Sequence, residues 1–500
     1  MDDVVFKERS AVPAGLAWLI QHFGLKLPDP AVRSEIVAGA RRTVIQNGRV
    51  LEQYPKTYAP SGIFGNLRFA LRYEPLDMRA WNALLHALDR NALQAWVRED
   101  PTGRYARRAW YLFESLTGST LDVPEVPPTG YVDLADSRLQ ITGPVVKIRR
   151  QRVNLNLIGD TRYCVLIRRT EQLQRAIGEG LGEQARRVVE SCDPSLLARA
   201  VHYLFTRETK SSFAIEGEAP SSARAERFVI ALTNAAEFET GQPDAFVRLQ
   251  NTIVDRRYAE SGWRATQNYV GQTRSDYSEH VHFVCPKPED VPDLMSGWMR
   301  MTAQMQGNEV DAVCAAAAVA FGFVFIHPFD DGNGRIHRFL VHHILARRGF
   351  TPHNLVFPVS TVMLRDRRSY DQALEKFSSP LMPFIDWTVD PDGRMTVKNP
   401  TVDLYRFWDA TWVAEYLYAV IAETIRRDLA EEIRFLSTFD AAVARTMDIV
   451  DMPDRRASLL VRLILQNQGT LSKNKRPDFV ELSDAELASI EAAVGEVAGT

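Results

Sequence analysis

The stretch from Phe325 to Leu340 reads FIHPFDDGNGRIHRFL and gathers several chemistry-bearing residue types within a few turns of chain. His327 has an imidazole that can take a proton near neutral pH. Asp331 offers a hard carboxylate oxygen suited to Mg2+ that bridges phosphates. Gly332 and Gly334 let backbone amides approach an anion closely. Arg335 and Arg338 fall on one side of a helix's first turn, where they can bracket further phosphate oxygens. Proton acceptor, cation ligand, amide cradle and paired guanidiniums together make a phosphate-transfer constellation. The loop is not of the Walker type, because GxxxxGK[ST] occurs nowhere in the chain.

These residues need particular elements around them. Val310 to Ile326 is apolar almost all round and reads as a buried helix. Pro328 cannot continue it, and Asp330 to Gly334 is turn material. Ile336, Phe339, Leu340, Ile344 and Leu345 then recur at helical spacing, with Gly349 as the stop. The expectation is helix, tight glycine loop, helix, with loop amides converging on the second helix's N-terminus. His337, His342 and His343 do not share a helix face well enough to read as a zinc cluster.

At 500 residues the chain is too long for one ordinary core. With 45% hydrophobic and 25% charged residues it is globular rather than disordered, and a net charge of -3 argues against a surface devoted to nucleic acid. Cys164, Cys192, Cys285 and Cys314 form no CxxC pair, which disfavours a disulfide scaffold or structural zinc. No apolar run is long enough to span a membrane and no secretory signal is visible, so a cytoplasmic protein without membrane contact is expected.

The fold expected is mainly α. Residues 1–122 read as a helical N-terminal region, carried by Leu16, Ile20 and Phe23 and by Trp81, Leu84, Leu85, Leu88, Leu93 and Trp96. Residues 123–170 read as a proline-rich linker and a short β segment. Residues 171–400 hold the helical core with a β-hairpin near 264–288. Residues 401–500 read as a C-terminal helical region, winged-helix-like from about 455, with a capping box at Ser483 and Glu486.

The loop matches HPFxxGNGRxxR, and through it the sequence resembles the Fic family. The resemblance implies a Fic-type helical core with a β-hairpin flap. It implies an adenylyltransferase that moves AMP from ATP, with Mg2+ or Mn2+, onto a Ser, Thr or Tyr hydroxyl of a target protein, which can include the chain itself. His327 would take the hydroxyl proton, and Asp331 would hold the metal. Asn333 with the amides of Gly332 and Gly334 would form the anion hole. Arg335 and Arg338 would hold the β- and γ-phosphates, and Tyr370 matches a family tyrosine near the nucleotide. Upstream, Ser212, Glu216 and Gly217 resemble the family's inhibitory helix [ST]xxxE[GN] near 209–217, so Glu216 would pair with Arg338 and hold the enzyme off. The hairpin resembles the flap that docks a target strand.

Other readings stand beside this one. The same residues could remove AMP from a modified protein, or use another nucleotide or a phosphocholine donor. A non-enzymatic reading is a DNA-binding regulator with a degenerate Fic core, using Lys473, Lys475 and Arg476 of the tail. A homodimer is compatible with the sequence.

Overall fold

In the computed structural model, which describes residues 11–46, 49–273, 279–352, 355–390 and 392–499, the chain is mainly helical with five small sheets. The centre is helix Ala312–Ile326, sheathed on all sides. Its sequence AVCAAAAVAFGFVFI explains this: small alanines allow close approach and the phenylalanines fill the gaps between neighbours. Asp311 caps its start by accepting from the N–H groups of Val313 and Cys314. Helix Asn333–Arg347 lies against it, as do Val291–Gln304 and Thr411–Glu423.

The long helix Pro194–Ile215 begins with an Asp193 cap and a proline in its first turn, and packs on Val359–Arg365 and on the C-terminal helix Ala430–Ile449. Asp428, fully buried at the head of that C-terminal helix, accepts from Arg207 of the long helix and from Arg365. The hairpin Tyr269–Thr273 and Glu279–Val284 is antiparallel with a bulge at Val270/Gly271; residues 274–278 at its tip lie outside the described residues.

The N-terminal region is not wholly helical as expected. Helices Gly62–Tyr73, Met78–Ala87, Arg90–Glu99 and Arg104–Thr117 are there, but Val32–Val37, Arg42–Gln46 and Arg49–Pro55 join Val12–Ala14 in a four-stranded sheet. Tyr54 of strand Arg49–Pro55 meets Phe69 edge-on, with Tyr73 tilted beside them. The strands are short, and one edge strand, Arg42–Gln46, is solvated on both faces, so its hydrophobic alternation is weak.

Strand Phe407–Asp409 pairs in parallel with Cys164–Leu166, which ties the segment after the helical core to the β segment before it. In the C-terminal unit the described residues form helices Asp454–Gln466 and Asp484–Ala498 against Ala430–Ile449, with the Ser483/Glu486 capping box in place. No strand pair that would make a wing occurs among its described residues, which corrects the winged-helix expectation. Its basic loop is largely committed within the unit: Lys475 pairs with Asp478 and Arg476 with Asp484.

Candidate active site

Helix Ala312–Ile326 terminates at His327, whose backbone stands at φ 53 and ψ 59. A left-handed conformation without glycine costs about 1–2 kcal/mol and must be held by its surroundings. The His327 N–H donates to the Phe323 carbonyl at 3.0 Å. Arg264 holds the other side: its Nε donates to the His327 carbonyl at 2.7 Å, and its own N–H to that of Pro328 at 2.9 Å. The imidazole Nδ1 lies 3.2 Å from the Val324 carbonyl, which can only accept, so Nδ1 carries the hydrogen and Nε2 the lone pair. Burial, and after it the Arg264 charge, push the imidazole down to about 4, leaving it neutral at pH 7. His327 lines a cavity of about 320 Å3 between the hairpin and helix Arg367–Leu381, together with Gly271, His282, Phe325, Asp371 and Ser378.

The loop beyond it is tied by its own side chains. Gly332 takes φ 95, and its N–H donates to Asp331 Oδ1 at 2.6 Å. Asn333 is buried: its Oδ1 accepts from the Phe329 N–H at 3.0 Å and its Nδ2 donates to the Phe329 carbonyl at 2.7 Å. The first-turn amides of Asn333 and Gly334 have no carbonyl partner within the helix and stand at its positive end. Glu260 Oε1 accepts from the Asp330 N–H at 3.0 Å, and burial first of all raises this carboxyl to about 7.

Arg338 is fully buried and wholly engaged. Nε donates to Ser212 Oγ at 2.9 Å, Nη2 to the Ser212 carbonyl and to Glu216 Oε1, both at 2.7 Å, and Nη1 to the Tyr370 hydroxyl at 3.4 Å. Arg335, 1% exposed, donates to Glu218 Oε2 at 3.1 Å and to Asp331 Oδ1 at 2.7 Å. One helix end supplies both carboxylates. Gly217 at φ 72 reverses the chain, and the Glu218 N–H returns to the Phe213 carbonyl at 3.1 Å. Burial works against the Glu216 charge, but the adjacent Arg338 and then Arg335 outweigh it and hold the carboxyl below its ordinary value. A Cβ on Gly334 would run into Glu216 Oε1, so this approach requires glycine there.

The structure therefore brings His327, Asp331, Gly332, Asn333, Gly334, Arg335, Arg338, Ser212, Glu216 and Gly217 together. Three expectations change. The Gly332 N–H, expected in the anion hole, is donated to Asp331 Oδ1. The Asn333 side chain is spent on Phe329, so only its main-chain N–H can serve an anion. Tyr370 is 3% exposed behind Arg338, where it supports that guanidinium; Arg367, Asp371, Leu374 and Ser378 line the cavity from the same helix. His342 is taken by Glu208 at 2.8 Å and His343 by the Ala235 carbonyl at 2.7 Å.

Sequence reasoning missed Glu218, Arg264 and Glu260. The Glu-Gly-Glu spelling after a helix was a usable signal for Glu218. Arg264 had none, since its partner His327 lies 63 residues away.

A glycine-rich loop at a helix N-terminus thus stands beside a two-stranded hairpin. Residues 242–345 match the Fic/DOC family model, so that segment carries a Fic domain. Among curated relatives, the protein adenylyltransferase Fic of Nematostella vectensis is 32% identical over 165 residues, covering 32% of this chain and 33% of that one. Its counterpart in Drosophila grimshawi is 30% identical over 145 residues, covering 29% and 25%. The chain thus matches a third or less of the length of these relatives. A solved Fic family protein from Desulfovibrio desulfuricans aligns with 66% of this chain and 84% of its own at 18% identity, with a TM-score of 0.37.

Proposed function

We propose that the chain is an auto-inhibited protein adenylyltransferase that moves AMP from ATP to a side-chain hydroxyl of a target protein. The observation that carries this reading is Arg338, a buried guanidinium in the helix that follows the glycine loop, held by Glu216 at the end of helix Pro194–Ile215. In the transfer, His327 Nε2 takes the proton of the target hydroxyl as its oxygen bonds to the α-phosphorus of ATP. The bond from that phosphorus to the bridging oxygen breaks, and pyrophosphate leaves. The first-turn amides of Asn333 and Gly334 face the developing charge, and Arg335 and Arg338 hold the β- and γ-phosphates.

Asp331 fits a cation. Its Oδ1 takes both of its hydrogen bonds, and the side chain is 41% exposed. With a single carboxylate, Mg2+ or Mn2+ would complete its shell from phosphate and water, and would supply neutralisation of phosphate charge.

Both arginines are already paired with carboxylates, Arg338 with Glu216 and Arg335 with Glu218 and Asp331. ATP must compete with these three internal carboxylates for its phosphate sites. The test is radiolabelled ATP with Mg2+, followed by mass spectrometry of what becomes modified. Glu216→Gly protein is expected to transfer AMP strongly, wild type weakly, and Glu216→Gly with His327→Ala not at all. Label transfer that survives loss of His327 would overturn the assignment. Release of AMP from a modified target by wild type, with no transfer by Glu216→Gly, would favour the reverse reaction.

A further inference from the structure

We propose that Arg264 is the positioning residue for His327, fixing the left-handed turn that presents the imidazole and holding a fixed cation behind it. This inference rests on the reading of His327 as proton acceptor. Arg264 is 3% exposed. Its guanidinium donates only to carbonyls: Nε to His327 at 2.7 Å, Nη1 to Thr266 at 2.8 Å and Nη2 to Pro286 at 2.6 Å. Thr266 precedes the first hairpin strand and Pro286 follows the second, so one side chain ties both feet of the flap to the His327–Pro328 turn.

The partners are unusual for a buried guanidinium, which is ordinarily neutralised by a carboxylate. Among the described residues Arg264 has no ion pair; Asp330 and Glu260 are the nearby carboxylates, and neither reaches its guanidinium within salt-bridge distance. The other charged or titratable groups around His327 are Glu216 and Asp331, which favour its protonation, and Arg367, Asp371, Glu375 and His282, which line the same cavity. Arg264 alone of these also bonds the His327 backbone, so it sets where the imidazole stands and adds its charge to the burial that keeps the ring unprotonated. A planar fork reaching three carbonyls cannot be replaced by an ammonium, which keeps the charge and loses the geometry.

That difference makes the test. Full-length wild type, Arg264→Lys and Arg264→Gln are compared, each also carrying Glu216→Gly. His327 is titrated by imidazole NMR, with its signal assigned by its loss in His327→Ala, and AMP transfer is measured as kcat and KM for ATP. Arg264→Gln is expected to raise the His327 midpoint by about one pH unit. It should lower kcat about tenfold or more, with KM for ATP within about twofold. Arg264→Lys is expected to leave the midpoint near wild type while still lowering kcat. An unchanged midpoint in Arg264→Gln, or an unchanged kcat in Arg264→Lys, overturns the proposal. If Arg264→Gln does not fold, the Arg264→Lys kcat decides. If no variant transfers AMP even with Glu216→Gly, the transferase reading fails, and the NMR midpoint still decides the role of Arg264.

Discussion

Glu216 Oε1 and Arg338 Nη2 stand 2.7 Å apart, joining the end of helix Pro194–Ile215 to the second turn of helix Asn333–Arg347. The guanidinium is fully buried and the carboxylate about one-third exposed, so solvent reaches the pair from the Glu216 side. Such a pair adds little net stability, and under the proposed function it occupies the group that a phosphate would need. Replacing Glu216 by Gly is expected to raise AMP transfer at least about tenfold, equivalent to about 1.4 kcal/mol of lost competition. Arg338 keeps Ser212 and Tyr370 as partners, so the fold should survive. Rates with labelled ATP, beside thermal melting of the same samples, check both halves.

Glu218 does for Arg335 what Glu216 does for Arg338, but it is shared with Arg224 at 2.8 Å. Its grip on Arg335 is therefore weaker. Glu218→Gln should raise transfer by about twofold to tenfold on its own and tighten ATP binding, measured by calorimetry. A fall in activity would mean that Glu218 orients Arg335 instead of competing for it.

Asn333→Ala should damage the loop rather than an anion contact. It leaves the Phe329 N–H and carbonyl, both buried, without their partner, at a cost of about 1–3 kcal/mol for each group left unsatisfied. The expected signature is a lower melting temperature together with a drop in kcat of about a hundredfold. Asn333→Asp retains the acceptor for the Phe329 N–H and should recover part of the stability.

The pH dependence of stability has two opposing sets of groups. Burial first of all holds His327, His337 and His343 down at about 4, 3 and 4, against a usual 6.5. The unfolded chain takes up these protons first, so their contribution is lost as pH falls from about 6.5 towards 4. Burial likewise raises Glu74, Glu260 and Glu432 to about 7 from a usual 4.5. The folded chain keeps those protons, so this contribution is lost as pH rises from about 4.5 through 7. The sets offset one another between about 4.5 and 6.5, where the melting temperature should be nearly flat, with a decline on either side. Calorimetry from pH 4 to 8 reads this. Glu74→Gln should gain on wild type as pH rises, because it removes one group that must ionise while buried.

The loop was legible because its chemistry is local. His327, Asp331, the glycines and the arginines lie within a dozen residues, and proline and glycine dictate the turn between helices whatever surrounds them. The helix end at Gly217 was legible for the same reason, as was the capping box at Ser483. The N-terminal sheet was not: short half-solvated strands carry little alternation, and pairing between Val32–Val37 and Arg49–Pro55 gains meaning only when Ile36 and Tyr54 of the two strands meet over Phe69. Nor could the sequence say that Asn333 turns inward to Phe329, that Tyr370 backs Arg338 instead of facing the cavity, or that Arg264 reaches the His327 carbonyl. Spacing along a chain determines which groups can act in one turn. Burial and contacts between distant segments decide which of them face the cavity, which carry charge, and which are already occupied.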